Sequence, residues 1–431
     1  MCRELSIDYV NIRNVMFGNR TELRNGVLTL DKEELMALAN KPVFDSFDIK
    51  IASPGDSCRI LGVHEVMQPR CKVDAPETSY PGAWGSLAPA GEGRTVALRG
   101  VVITELYYPK ANVKWYLDMC EPCSHYSYYA RHHHIILDAT PGSGISDLTY
   151  SEALKHSALS INVHLAKLAI GQTPDKTEFF SHRPLDEGQR GKDGKKLPRV
   201  AYLCTLQATT DFWNFLYYGQ SAVGYLPIIV QPTEILDGAV IFRYWENTYV
   251  LQNDPYVKEL LSRHGKDLDF AGVVFANNTM RIGDKSAMGL IAAGLCKNTL
   301  RADCVMVNKS GMGHAQLDAV MAFNWCESMG MTAAVNLAGV SNDTPGDMLV
   351  IADPKVDAVV NSGRHFLLEH PRVERLIGED VNVPSLLGLD PRGPFTHTTN
   401  YAYAGVYGQL GDCYRTMDDD ITWTAPEACA Q

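Results

Sequence analysis

Residues 270–276 read FAGVVFA, residues 284–294 read DKSAMGLIAAG, and residues 303–307 read DCVMV. The first and third segments are short apolar runs, which are typical of strands buried on both faces of a sheet. The segment between them has the pattern of an amphipathic helix. A strand, a helix and a second strand at this spacing predict a crossover unit of a parallel sheet.

The same alternation continues on both sides of this unit and predicts a doubly wound, mostly parallel sheet. The predicted strands are 200–206, 226–230, 270–276, 303–307, 332–337, 348–351 and 358–360. The predicted helices are 255–263, 284–294, 317–328 and a short one over 371–377.

The first part of the chain has a different, strand-rich character. Residues 95–103 look like a buried strand interrupted by Gly100, and Asp31 is placed to cap a short helix that follows it. A helical pattern over 151–170 begins the second part. We therefore predict an α/β protein with an amino-terminal α+β domain over residues 1–150 and a doubly wound domain over residues 151–431.

Composition and charge narrow the class of protein. The chain has 431 residues, of which 45% are hydrophobic and 21% charged, as in ordinary globular proteins. Lys and Arg number 39 against 50 Asp and Glu, a net charge of −11, which argues against nucleic acid or an acidic membrane surface as partner. No apolar run reaches the roughly 20 residues that span a bilayer, and the amino end does not resemble a signal peptide. With eleven cysteines and no secretory signal, a cytoplasmic protein with reduced thiols is expected.

The densest group of reactive side chains is CEPC at residues 120–123, followed by three histidines at 132–134. Thiolate and imidazole are ligands that suit zinc or iron. In a strand, His132 and His134 share one face, so we predict a metal site made of Cys120, Cys123, His132 and His134. The spacing matches no standard zinc finger. A redox-inactive loop beside a strand, or a thiol redox pair, are the alternatives.

Two carboxylates, Glu234 and Asp237, follow the predicted strand 226–230. Because ligands bind beyond the carboxyl ends of parallel strands, these side chains are candidates for general acid–base catalysis and for substrate binding. The alternative is a capped turn in which polar side chains satisfy backbone donors.

Residues 308–314 read NKSGMGH and follow the predicted strand 303–307. A G-x-G loop that opens a helix offers backbone donors to an anion, and His314 could act as acid or base. The segment lacks the third glycine of a dinucleotide fingerprint and the lysine of a P-loop, so a small carboxylate suits it better than a nucleotide. Arg364 follows another predicted strand and could add a positive charge at the same edge of the sheet. The alternative for His314 is a structural role.

Several short motifs also resemble a known family. They lie at residues 15–18, 26–28, 54–57, 232–239, 253–255, 263–266, 270–273 and 311–313. In order and spacing the chain resembles, over residues 5–380, the proprotein subunit of component B of the glycine, sarcosine and betaine reductases. The similarity to the D-proline reductase proprotein is more distant.

The resemblance implies a mechanism and a partner. In that family the precursor cuts itself before a cysteine, which becomes a pyruvoyl group that forms a Schiff base with the substrate amine. A selenol or thiol of a partner subunit then attacks the adjacent carbon and cleaves the bond reductively. The resemblance therefore implies a hetero-oligomer that acts on a small molecule.

The sequence departs from the family at the cleavage site. Residues 240–249 read VIFRYWENTY and contain no cysteine, and the nearest ones, Cys204 and Cys296, fall in a predicted strand and at a helix end. We expect no pyruvoyl group and a single uncut chain. Arg243 and Tyr244 would instead line the pocket and suit an anionic or planar substrate. The alternative is that these large side chains fill a lost cavity.

Three hypotheses follow. The first is a pyruvoyl-free component B subunit that works with a thiol- or selenol-bearing partner in reductive cleavage of a carbon–heteroatom bond. In it, Glu234 and His314 are the catalytic residues, and the substrate-binding residues are Asp237, Arg243, Tyr244 and Arg364. The second is a non-catalytic scaffold subunit of such a complex. The third is a metalloenzyme built on the CEPC and histidine cluster.

Overall fold

The computed structural model describes residues 3–74, 79–85, 88–106, 116–183, 185, 190–208, 214–242, 247–310, 314–337, 353–361, 367–378 and 390–398. Its amino-terminal strands are β1 Arg3–Asn11, β2 Asn14–Gly18, β3 Glu22–Arg24, β4 Val27–Asp31, β5 Phe44–Ala52, β6 Cys58–Leu61, β7 Val63–Met67, β8 Arg70–Lys72, β9 Gly93–Arg99, β10 Val101–Leu106, β11 Tyr116–Asp118, β12 His133–Pro141 and β13 Lys176–His182. The helices among them are α1 Lys32–Ala39 and α2 Asp147–Lys167.

The later strands are β14 Arg199–Leu206, β15 Phe215–Tyr217, β16 Gln220–Ser221, β17 Ile228–Val230, β18 Val240–Phe242, β19 Asp269–Asn277, β20 Cys304–Lys309, β21 Thr332–Leu337, β22 Val359–Asn361, β23 Leu367–His370, β24 Arg375–Ile377 and β25 Phe395–Thr398. The later helices are α3 Pro232–Asp237, α4 Thr248–Gln252, α5 Pro255–Arg263, α6 Ile282–Gly294 and α7 His314–Ser328. The chain is thus a mixed α/β protein with several sheets.

Two four-stranded sheets dominate the amino-terminal part, in the orders β13-β1-β9-β8 and β5-β12-β10-β7. The interrupted strand predicted over 95–103 is in fact two strands, β9 and β10, one in each sheet. Gly100 between them has φ +82°, and a Cβ there would lie 2.5 Å from the carbonyl oxygen of Ile12. Only glycine permits this passage from one sheet to the other.

The helix predicted after Asp31 and the helix predicted over 151–170 are both present. The Asp31 carboxylate caps α1 by accepting from the backbone N–H groups of Glu33 and Glu34, as expected. Helix α2, predicted over 151–170, contacts α1, β8 and β10. The domain boundary at residue 150 stays a prediction, but β13 lies beyond that boundary and pairs with β1.

The predicted parallel sheet is a six-stranded sheet in the order β17-β19-β14-β20-β21-β22. Strands β19, β14, β20, β21 and β22 run parallel, whereas β17 runs antiparallel to β19. Each predicted strand of this sheet is found except 348–351, which lies outside the described residues. The chain order of the parallel strands reverses between β14 and β20, which makes their carboxyl ends a topological switch point.

Both faces of this sheet are covered, which explains its nearly continuous apolar strands. Tyr202 and Phe275 point into the large core shared with the amino-terminal sheets and α5. Leu203 and Val274, their neighbours in the chain, point to the opposite face and pack in a second core that includes residues of α6 and α7. The period-two alternation of strand side chains separates the two cores.

The helix predicted over 371–377 is wrong. Residues 375–377 form the strand β24, which pairs in parallel with β6, more than 300 positions earlier in the chain. Pairing between distant segments has overridden the local helical pattern. In the part of the chain that the structure describes, no helix is both long and apolar enough to cross a membrane.

Candidate functional site

The carboxyl ends of β14, β19 and β20 form the edge of the sheet at which ligands are expected. Two backbone hydrogen bonds hold the chain together just past these ends. The N–H of Asn278 donates to the carbonyl of Leu206 at 2.7 Å, and the N–H of Ser310 donates to that of Thr205 at 2.7 Å. The residues that follow the three strands therefore converge.

Several buried polar atoms at this edge have no hydrogen-bond partner among the described residues, as do others elsewhere in the molecule. Those at this edge are Oγ1 of Thr205, Oε1 of Gln207, Oδ1 of Asn278, Oγ1 of Thr279, Oγ of Ser310 and Oδ1 of Asn336. Buried polar atoms are almost always hydrogen-bonded, because leaving one unpaired costs about 1–3 kcal/mol. Six such atoms at the ends of four adjacent strands make this edge a candidate binding site for a polar ligand.

A buried lysine lies beside this group. Lys285, in the first turn of α6, donates to the carbonyl of Thr279 and to the carboxylate of Asp318 on α7. Its Nζ also contacts Nδ1 of His314 at 3.1 Å. Lys285 and Asp318 are each 3% exposed, whereas His314 is only partly buried. The imidazole is thus the member of this trio that reaches towards solvent.

The electrostatics set the protonation of this trio. Partial burial and the charge of Lys285 lower the pKa of His314, so its imidazole is neutral near pH 7. Because the lysine donates to Nδ1, the imidazole proton is on Nε2. Burial raises the pKa of Asp318, although Lys285 opposes that rise. The trio presents a neutral N–H donor backed by a positive charge.

The sequence predicted only one member of this trio, His314, as a functional residue. It placed His314 at the start of a helix, as observed, and the preceding glycines at 311 and 313 lie outside the described residues. It missed Lys285 and Asp318. Asp318 is one turn after His314, but the contact with Lys285 depends on the packing of α6 against α7, which no local pattern reveals.

Glu234 and Asp237 do not lie near His314. They form part of α3, which follows β17, and β17 runs antiparallel to β19. The segment after β17 therefore lies at the amino-terminal end of β19, where His182 hydrogen-bonds both Gln231 and the carbonyl of Phe270. At about 3.3 Å per residue, β19 separates the two edges by about 26 Å. The expectation that both carboxylates follow a parallel strand is wrong.

Glu234 has hydrogen-bond partners within the protein. Its carboxylate accepts from the hydroxyl of Tyr217 at 2.6 Å, from that of Tyr218 at 3.0 Å and from the backbone N–H of Gln231 at 3.2 Å. The last of these contacts belongs to a capping box at the start of α3. These contacts match the capped-turn alternative.

Asp237 is fully buried and takes part in an ion pair. Its carboxylate accepts from Nζ of Lys72 at 2.7 Å, from Oγ1 of Thr95 at 2.6 Å and from the N–H of Gly91 at 2.7 Å. Lys72 is only 4% exposed. The arrangement joins α3 to strands β8 and β9.

The two histidines predicted as metal ligands are bound to other side chains. Nε2 of His132 is hydrogen-bonded to the Tyr249 hydroxyl at 3.0 Å, and His134 to the Thr104 hydroxyl at 2.7 Å and the Tyr129 carbonyl at 2.9 Å. Burial lowers the pKa of His132 to about 3 and that of His134 to about 4, so both are neutral. Both are buried, and neither joins the cysteines.

A different histidine meets Cys123. Nδ1 of His370 lies 3.3 Å from Sγ of Cys123 and 2.5 Å from Oδ2 of Asp118. The ligand atoms of these three buried residues all lie within 4.8 Å of one another, and within the described ranges no other such group of three metal-ligating residues occurs. No local sequence pattern points to His370, because it is 247 positions from Cys123.

Three residues predicted to bind substrate, Arg243, Tyr244 and Arg364, lie outside the described residues. The segment after residue 246 is well anchored. The carboxylate of Glu65 accepts from the N–H and the hydroxyl of Thr248, and the Asn247 amide donates to the Tyr129 hydroxyl.

Comparison with known proteins places the chain among its relatives. It is 28% identical over 393 residues to glycine reductase complex component B subunits alpha and beta of Peptoclostridium acidaminophilum, covering 89% of this chain and 91% of that protein. It is 28% identical over 397 residues to the sarcosine reductase complex component B subunit alpha of the same organism, with the same coverage. The betaine reductase complex component B subunit alpha of that organism is 27% identical over 401 residues, covering 87% of this chain and 88% of that protein.

No solved structure matches the chain. The sequence profile of the glycine/sarcosine/betaine reductase component B subunits matches residues 3–389. This match spans nearly the whole chain and agrees with the resemblance seen in its motifs. The protein therefore belongs to the family of glycine/sarcosine/betaine reductase component B subunits.

Proposed function

We propose that this chain is a pyruvoyl-free subunit of a glycine reductase-like complex. It acts with a thiol- or selenol-bearing partner subunit in reductive cleavage of a carbon–heteroatom bond of a small polar metabolite. The observation that supports a binding role is the group of unpartnered polar atoms at the carboxyl edge of the sheet, beside Lys285 and His314. Hydroxyl and amide oxygens there suit a ligand with several hydrogen-bond donors.

In this proposal the partner's thiolate or selenolate attacks carbon and forms a carbon–sulfur or carbon–selenium bond, and the electron pair of the broken bond leaves with the heteroatom. A second thiol then attacks the sulfur or selenium, which releases the carbon as a C–H group and leaves a disulfide or selenosulfide. The Nε2–H of His314 donates a hydrogen bond to the atom on which negative charge develops. A neutral imidazole can act in this way when a nearby positive charge keeps its pKa low. Lys285 supplies that charge and orients the ring.

The proposal that this chain forms no pyruvoyl group rests on the sequence. Residues 240–249 contain no cysteine, and Cys204 and Cys296 are both buried in regular structure. We expect mass spectrometry of the purified protein to give one intact chain of 47.6 kDa. Treatment with a hydrazine reagent, which labels keto groups, should leave that mass unchanged. Two fragments, with a hydrazine-reactive amino terminus on one, would contradict this part of the proposal.

Arg243 remains the sequence-based candidate for holding a substrate carboxylate. We expect Arg243→Ala to raise the KM of the complex about tenfold or more, with little loss of stability, because a guanidinium–carboxylate contact contributes about 1.5–3 kcal/mol. Arg243→Lys keeps the charge and should recover part of the affinity. A lowered unfolding midpoint with unchanged KM would instead assign Arg243 a structural role.

We further propose that the subunit functions as part of a cytoplasmic hetero-oligomer. The free thiols of Cys58, Cys71, Cys304 and Cys326 suit a reducing compartment. Native mass spectrometry of the chain purified without oxygen from its own cells tests this assembly. A complex with a cysteine- or selenocysteine-bearing subunit supports the proposal, and a chain found alone contradicts it. If the complex needs this chain but tolerates loss of His314, the chain is a scaffold.

A further inference from the structure

A second cluster, distant in sequence from the proposed substrate site, has the chemistry of a metal centre. Asp118 ends β11, Cys123 begins the short helical turn after it, and His370 ends β23. All three residues are buried, with exposures of 4%, 4% and 2%, respectively. The cluster brings one sulfur, one imidazole nitrogen and one carboxylate oxygen within 4.8 Å of one another.

Neighbouring side chains orient two of these metal-ligating groups through hydrogen bonds to the atoms that face away from the cluster. Nε of Arg59 donates to Oδ1 of Asp118 at 2.6 Å, which leaves Oδ2 to face His370 and Cys123. The hydroxyl of Tyr116 lies 3.1 Å from Nε2 of His370 and leaves Nδ1 to face the same point. A ligating histidine usually has its other nitrogen hydrogen-bonded in this way, and ligating carboxylates are held similarly.

We propose that Asp118, Cys123 and His370 are ligands of one zinc ion. Cys120, whose sulfur lies outside this group of three, becomes the fourth ligand when its side chain turns towards the ion. Mixed sulfur, nitrogen and oxygen donors in a buried tetrahedral site are typical of zinc, whereas magnesium and calcium bind oxygen alone. The inference is independent of the proposed function. It keeps the predicted cysteines but replaces His132 and His134 with His370 and Asp118.

The charges explain the choice of Cys120. The thiol of Cys120 lies three residues before Cys123, in the same turn, in which the N–H of Ser124 donates to the Cys120 carbonyl at 3.0 Å. Two thiolates and the Asp118 carboxylate carry three negative charges, which a divalent ion and the Arg59 guanidinium balance. A buried site that is neutral overall avoids the large cost of an uncompensated charge.

Metal binding would displace the protons that the cluster otherwise holds. Burial, followed by the charges of Asp118 and Cys120, raises the pKa of Cys123, so without a cation this thiol stays protonated. The ion takes the place of the thiol protons. Zinc affinity should therefore rise with pH.

A zinc ion here would also hold the later segment that contains His370 against the amino-terminal strands β6 and β11. Arg59 donates to the carbonyls of Pro371, Pro391 and Gly393, and His370 contributes a ligand from the same segment. An ion at this point ties residues 367–378 and 390–398 to β6 and β11. Zinc should therefore stabilise this segment most.

The first test uses the intact wild-type protein, expressed with zinc in the medium and freed of loosely bound metal. We expect about one zinc per chain by elemental analysis. X-ray absorption at the zinc edge should show sulfur at about 2.3 Å and nitrogen or oxygen at about 2.0–2.1 Å in one shell. Substoichiometric zinc, a shell without sulfur, or a disulfide between Cys120 and Cys123 in anaerobically purified protein would each overturn the proposal.

Variants then identify the ligands. Cys123→Ser and His370→Gln should each reduce bound zinc at least tenfold, as measured by competition with a chromogenic chelator. Cys304→Ser, at a partly exposed cysteine elsewhere, and His132→Gln, at the histidine that the sequence suggested, should retain it. Loss of zinc in His132→Gln, with retention in His370→Gln, would overturn the assignment. If a ligand variant does not fold, the absorption spectrum of the wild type still decides.

Discussion

Asp237→Ala is expected to destabilise the protein by about 3–5 kcal/mol, because it leaves the buried ammonium of Lys72 without its counter-charge. The substitution also removes the acceptor for Gly91 and Thr95. Urea denaturation followed by circular dichroism measures the change. The resulting protein would be marginal, since whole domains are stable by only about 5–15 kcal/mol.

Two comparisons make this prediction specific. Asp48→Ala removes a surface partner of Lys32, about 40% exposed, and should cost less than about 1 kcal/mol. The double variant Lys72→Met/Asp237→Leu removes both charges and should recover much of the loss. If Asp237→Ala instead folds normally and raises KM, the carboxylate binds substrate, as the sequence suggested.

His314→Leu is expected to lower kcat of the assembled complex by about 10²–10³-fold, the usual cost of removing one donor to a developing negative charge. Folding should change little, because His314 is only partly buried. His314→Gln keeps an N–H donor and should recover part of the rate. Equal losses in both variants, or no loss in either, would contradict the donor role of His314.

The pH profile provides an independent readout of the same group. The neutral imidazole is the active form, because a protonated ring would turn a second N–H towards the Lys285 ammonium and lose this contact. Its pKa is below the ordinary value, so activity should fall only when the pH drops below the ordinary range of imidazole titration. Lys285→Met removes one of the two causes of the lowered pKa. The fall in activity of this variant at acidic pH should therefore begin at a higher pH. If the pH at which activity falls is the same in Lys285→Met and in the wild type, His314 is not the titrating group.

Strands and helices with strong local patterns were predictable from the sequence. Residues 332–337 were predicted as a strand and form β21, and residues 255–263 were predicted as a helix and form α5. The direction of β17 was not predictable, because a three-residue strand carries no signal of parallel or antiparallel pairing. That single direction decides which edge Glu234 occupies.

The candidate sites were predictable only where their residues share one local segment. His314 follows a strand and opens a helix, and both facts can be read from its neighbours in the chain. Lys285 and His370 reach their partners through the packing of distant elements. Unpartnered atoms such as Oδ1 of Asn336 cannot be inferred without coordinates, because burial and pairing are three-dimensional properties.

The hydrogen bonds of Arg59 also bear on how the chain is made. Its guanidinium is fully buried, and three of its acceptors are backbone carbonyls more than 300 positions later. A ribosome adding about 5–20 residues per second needs roughly 15–65 s to synthesise the intervening chain. During that time β6 and β11 cannot enclose the charge, so these two strands, although synthesised early, are among the last to complete their packing.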